Sequence, residues 1–190
     1  MLRAQSRPAE PPPAFEVSLQ SDQATVDVNE SIRLLVKITN RTGGEVLAVG
    51  SLDGSDIGWR WPVVRLTVRD SSGQIVPDKP VARCGNMNPL KSDDFVRLKP
   101  GQAFGPFAQA NGSFGAESAI DRSLWLPGKY ELTFTYDTRL EAPSKSQRVH
   151  GDGTPTAELL AMVERVPKGE FKSNVLTIEV KARPEPAPKH

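Results

Sequence analysis

Apolar and polar residues alternate one for one along much of the chain, the period of a strand with one buried face. Phe15, Val17 and Leu19 alternate with Glu16 and Ser18, and Ala24, Val26 and Val28 with Thr25 and Asp27. Ile32, Leu34, Val36 and Ile38 continue the pattern against Arg33, Lys37 and Thr39, with Leu35 as an apolar exception. Val64, Leu66 and Val68 oppose Arg65, Thr67 and Arg69. The cleanest stretch sets Tyr130, Leu132, Phe134 and Tyr136 against Glu131, Thr133 and Thr135. Leu176, Ile178 and Val180 close the series against Thr177 and Glu179. Shorter strands are expected over 46–49, 95–98 and 103–108.

Turn chemistry separates these runs. Asn40-Arg41-Thr42-Gly43-Gly44 ends one strand, Asp70-Ser71-Ser72-Gly73 makes a hairpin into Gln74-Ile75-Val76, and Lys99-Pro100-Gly101 ends another. One helix is expected over 154–166, with Thr154 as its cap and Pro155 in its first turn. Leu159, Met162, Val163 and Val166 then recur on one face, and Pro167 stops it. Many short strands and little helix predict an all-β fold, an antiparallel β-sandwich with one short helix inserted before the last strand. Leu34, Phe134 and Ile178 should meet in its interior. The domain is expected over 15–181, between a Pro-rich flexible linker, 1–14, and a Pro-rich tail, 182–190.

Composition narrows function mainly by exclusion. Twenty-four Lys and Arg against 23 Asp and Glu give a net charge of +1, unlike the basic excess that binds phosphate backbones, so no nucleic acid is expected. No apolar run is long enough for a spanning helix, so no membrane insertion is expected. Cys84 is the single cysteine, which rules out an intrachain disulfide. His150 and His190 are the only histidines, too few for a zinc or blue-copper site with Cys84 and Met87. Asp53-Gly54-Ser55-Asp56 reads as a turn, because the further ligands of a calcium loop are missing. A Cys84–His150 dyad would lack a motif to position it, and no Gly-x-Ser-x-Gly elbow occurs. Neither an enzyme nor a cofactor is expected.

Leu124-Trp125-Leu126-Pro127-Gly128-Lys129-Tyr130-Glu131-Leu132 resembles the strand start of immunoglobulin and fibronectin type III domains. There a Tyr after a Pro-Gly turn bonds back to upstream backbone. Leu98-Lys99-Pro100-Gly101-Gln102 and Ser173-Asn174-Val175-Leu176 add a similarity to bacterial sandwich domains, some belonging to the intracellular proteinase inhibitor family. The resemblance implies an immunoglobulin-like sandwich, with aliphatic packing by Leu34 or Val36 and Leu132 where antibody domains carry a disulfide. It also implies a possible inhibitory loop within 77–94.

Gly58-Trp59-Arg60-Trp61-Pro62 is the candidate binding segment, formed by Trp59, Arg60 and Trp61. Carrying the alternation back from Val64 puts both Trp on the outward face, a stacking platform for a sugar or protein. A bulge at Pro62 reverses this, and the expectation is that at least one Trp is buried. The functional expectation is a non-catalytic binding or structural module of an envelope-associated or secreted bacterial protein, placed outside the cytoplasm, with a protein or glycan partner. A proteinase inhibitor is the alternative. Asn40-Arg41-Thr42 and Asn111-Gly112-Ser113 match the glycosylation pattern but read as turns.

Overall fold

A computed structural model of the chain describes residues 12–28, 30, 32–52, 54–55, 58–77, 89–106, 125–140, 147–151 and 153–182. It is mostly β. β1 (Phe15–Ser21), β3 (Leu34–Asn40) and β7 (Ala103–Phe104) form one antiparallel sheet in that order, with Phe15 opposite Asn40 and Ser21 opposite Leu34. A second, curled sheet runs β2 (Thr25–Asp27), β10 (Leu176–Lys181), β8 (Gly128–Asp137), β5 (Val63–Arg69). β9 (Glu170–Lys172) pairs with the far end of β8. β4 (Val46–Val49) and β6 (Phe95–Leu98) make a separate antiparallel pair.

The alternation read from sequence matches the burial pattern over most of β1, β3, β8 and β10, while Ala24 is exposed, Leu66 and Leu176 are half-buried and Thr135 is buried. Phe15, Val17 and Leu19 of β1, Leu34, Val36 and Ile38 of β3, Leu132 and Phe134 of β8, and Ile178 and Val180 of β10 join one apolar cluster. Leu35, the exception, is 45% exposed on the outer face. Phe15 meets Tyr136 and Phe171 edge-on, with ring centroids 6.0 and 5.1 Å apart, so the two sheets touch through aromatic edges. Burying a side chain of this size contributes about 1.5–3 kcal/mol, so the shared interior dominates the stability.

Three side chains tie the layers by hydrogen bonds. Asn174 accepts from Leu19 N–H at 2.9 Å and donates to Leu19 C=O at 3.0 Å, acting as a strand neighbour along β1. Tyr136 Oη accepts from Val49 N–H at 2.9 Å and donates to Val49 C=O at 3.3 Å, fixing the β4–β6 pair to β8; burial holds its phenol far above the ordinary range. Asn40, fully buried, donates to Gly44 C=O and Leu98 C=O at 2.8 and 2.9 Å and accepts from Thr42 N–H and Oγ1 at 2.8 and 2.7 Å. Both protons of the Asn40 amide are used inside the fold, which is the turn role expected for this tripeptide.

Four details differ from the sequence reading. β2 and β10 run parallel, with Thr25 opposite Glu179 and Lys181 opposite Asp27, so the fold is not wholly antiparallel. After β1 the chain crosses from one sheet to the other, where the edge of β10 is free to receive it. The helix, α2, spans Ala157–Glu164 after a four-residue α1, Gln147–His150. Its cap is Thr156, extended at φ −70° and ψ 153°, whose hydroxyl accepts from Leu159 N–H at 3.1 Å; Thr154 and Pro155 lie outside. β9 stands between α2 and β10, so the helix does not directly precede the last strand. The strand expected over 103–108 is reduced to Ala103–Phe104, with 107–108 outside the described residues.

Asn174→Ala should lower unfolding stability by about 1–3 kcal/mol, because it strips both partners from a part-buried edge. Urea denaturation with an unchanged slope checks this. The Arg139 guanidinium, bonded to Asp137 at 2.9 and 2.7 Å, holds that carboxyl below the ordinary range. Its stabilisation is complete above the ordinary carboxylate range and fades as pH falls through the lowered folded value. Asp137→Asn should therefore flatten the acid limb of a stability-against-pH curve.

Candidate functional site

The segment before β5 is a closed turn and not an extension of the strand. Gly54 and Gly58 adopt φ +73° and +71°, a region in which a side chain would be strained. Gly54 C=O accepts from Trp59 N–H and Arg60 N–H at 3.0 and 3.2 Å, and Ser55 C=O from Val64 N–H at 3.1 Å. Because the backbone curls here, the alternation stops at Val63. Arg60, Trp61 and Pro62 are all buried in succession, and the Trp61–Pro62 peptide is cis.

Trp61 is 1% exposed and Trp59 is 41% exposed, so the two rings do not form one outer platform. At least one Trp was expected inside, and Trp61 takes that place. Its N–H donates to Arg148 C=O at 3.1 Å, and its indole Nε1–H to Thr138 C=O at 3.3 Å. The Lys168 ammonium lies 5.1 Å from the ring centroid and donates to Val163 C=O at 2.8 Å, near the end of α2. Burial pushes the Lys168 ammonium below its ordinary value, against the pull of Glu164.

Arg60, a candidate contact residue, is only 4% exposed. Its guanidinium pairs with Asp94, and Nη1 lies 3.4 Å from Ser51 Oγ. Asp94 also accepts from Lys91 N–H at 2.7 Å, which closes the 3₁₀ turn Ser92–Asp94. The ion pair thus joins the Trp59 turn to the stretch before β6. That stretch is held in turn by Leu90 N–H on Val149 C=O at 3.0 Å. Beside it opens a cleft of about 370 Å³ between residues 89–92 and 153–159. Pro89, Leu90, Pro155 and Leu159 form apolar walls, and Lys91, Ser92 and Thr154 add polar groups.

No protein-family model matches the chain, and no curated protein matches its sequence. The site therefore rests on its own geometry.

Of the segment singled out from sequence, only Trp59 presents a large exposed ring; Arg60 and Trp61 act from beneath it. Asp94, Arg148 and Thr138, which hold that segment in place, had no distinguishing sequence signal. Their roles depend on loops meeting across the fold. Cys84, Met87, Asp53, Asp56, Asn111 and His190 lie outside the described residues, as do 78–88 of the inhibitory-loop region. Among the described residues, no three His, Cys, Asp or Glu side chains gather to hold a metal ion, and no helix is long and apolar enough to cross a membrane.

Asp94→Leu leaves the Arg60 charge buried without its counter-ion and should lower stability by about 3–5 kcal/mol. The double substitution Arg60→Met with Asp94→Leu should recover much of that loss. Chemical denaturation of the two single variants and the double variant supplies the cycle.

Proposed function

We propose that the chain is an immunoglobulin-like β-sandwich acting as a non-catalytic binding module of an envelope-associated or secreted protein. Its contact surface for a protein or glycan is the end bearing Trp59. Strand order supports the fold part of this reading. β1-β3-β7 facing β5-β8-β10 corresponds to the A-B-E and C-F-G strands of such domains. Tyr130, near the start of β8, donates its hydroxyl to Leu126 C=O at 2.7 Å, the backward bond of a tyrosine corner. A buried Trp just before β5 adds a third correspondence.

The observation that carries the binding part is Trp59, exposed on a turn whose backbone and buried ion pair hold it in place. A large aromatic side chain on a fixed turn loses little conformational entropy when a partner covers it. Its flat apolar face suits a sugar ring, and the adjoining indole N–H suits a polar contact. Arg60 and Trp61 keep the turn rigid from below, so they are positioning residues.

Binding to a glycan array and to immobilised extracellular proteins tests the reading. Trp59→Ala should lose at least ten-fold in affinity for whatever the unaltered chain binds, with an unchanged melting temperature. Trp61→Ala should lose fold and binding together, by about 3–5 kcal/mol in stability. Equal binding by Trp59→Ala, or no binding by the unaltered chain to either set, overturns the proposal. Tyr130→Phe should lower stability by about 1 kcal/mol and leave binding unchanged.

A further inference from the structure

The two sides of the cleft between residues 89–92 and 153–159 are held in place by the fold itself. On one side, Leu90 N–H donates to Val149 C=O at 3.0 Å. Lys91 N–H donates to the Asp94 carboxylate at 2.7 Å, and Lys91 C=O accepts from Asp94 N–H at 3.0 Å. On the other side, the Thr156 hydroxyl accepts from Leu159 N–H at 3.1 Å and fixes the first turn of α2. Leu90 and Leu159 are 3% and 7% exposed and belong to the apolar core, so a ligand between them has little to order. The volume of about 370 Å³ lies within the range of small-molecule clefts, about 300–1,000 Å³.

The lining residues limit what can bind there. Pro89, Leu90, Pro155 and Leu159 supply apolar surface, and Ser92, Thr154 and Thr156 supply hydroxyls. Lys91 carries the only charge among the lining residues, with no carboxylate beside it in the lining. Among the described residues its ammonium forms no ion pair. One unpaired cation next to apolar walls complements a single negative charge on an apolar body. A multiply charged phosphate would keep charge that Lys91 cannot balance, pressed against aliphatic side chains. An amine would be repelled, and an alcohol would leave the Lys91 charge without a partner.

We propose that this cleft is a binding site for a small monocarboxylate with an apolar body, its carboxylate at Lys91 and its hydrocarbon along Leu90 and Leu159. The site is separate from the surface proposed at Trp59 and requires no partner there.

Hexanoate titrated into the isotopically labelled full chain should shift the amide resonances of residues 90–92 and 156–159 in a saturable way. Hexanol, held by the walls alone, should bind more weakly, and hexylamine and inorganic phosphate more weakly still. Lys91→Gln keeps the backbone contacts to Asp94 and should weaken hexanoate about ten-fold while leaving hexanol unchanged. Thr154→Trp, at an exposed position outside α2, should fill the cleft and remove binding of both. Each variant should melt at the temperature of the unaltered chain, and the series of four probes on the unaltered chain needs no variant. Absence of shifts at these residues overturns the proposal. So does hexanol, hexylamine or phosphate binding as tightly as hexanoate, or a folded Lys91→Gln variant that binds hexanoate as well as the unaltered chain.

Discussion

Strand β8 is the constraint on which the other elements depend. It pairs along one edge with β5, and along the other with β10 and then β9, so its backbone groups are satisfied only when three separate chain segments arrive in register. The period of two then fixes everything else. With Leu132 opposite Val68 and Leu176, a one-residue slip would turn Tyr130, Leu132, Phe134 and Tyr136 outward together. Those side chains form the wall against which β1 lays Phe15, and Tyr136 reaches on to Val49. The register of one strand thereby determines both the interior and the position of the small β4–β6 pair.

Continuity along the neighbour of β8 is incomplete. Between β9 and β10 the residues Ser173, Asn174 and Val175 leave the ladder, and their polar groups are put to other uses. Ser173 N–H donates to Phe134 C=O at 2.8 Å, and Ser173 Oγ accepts from Phe134 N–H at 2.9 Å, keeping the break attached to β8. Asn174 turns instead to the first sheet and satisfies Leu19. A side-chain amide has the donor and acceptor of a peptide group, so it can cover a strand edge without adding a strand. Unpaired strand edges invite association with other chains, and this arrangement covers one residue of the β1 edge, Leu19.

How much of this was legible in the sequence follows from the range of each interaction. Phe15, Val36, Leu132 and Ile178 were identified as inward because side-chain period is a local property of strand backbone. Tyr130 and its backward bond were legible only through the resemblance of residues 124–132 to the strand start of immunoglobulin and fibronectin type III domains. Thr156 was missed as the helix cap because Thr154 followed by Pro155 has the same local chemistry, and only the backbone angles distinguish them. The parallel pairing of β2 was not legible, since alternation gives a buried face but no direction for the partner. At the site, period-two reasoning failed where the chain ceased to be a strand. Gly54 and Gly58 were the available signal that residues 58–62 fold into a turn, and a turn carries no parity.

The burial of Arg60 bears on the binding role proposed for that turn. A hydrophobic residue of similar volume would fill the same space without desolvating a guanidinium and a carboxylate, and such replacements are often neutral or stabilising. An apolar filler would pack, but it would not choose between nearby arrangements of the loop. The ion pair does choose, because the guanidinium must face both Asp94 and Ser51, and Asp94 must also accept from Lys91 N–H. Two segments distant in sequence, 51–60 and 91–94, are held to one geometry by directional contacts, and the side chain this geometry delivers to solvent is Trp59. An arrangement that favours a single loop position over packing alone is consistent with a surface that has to keep its shape when a partner arrives.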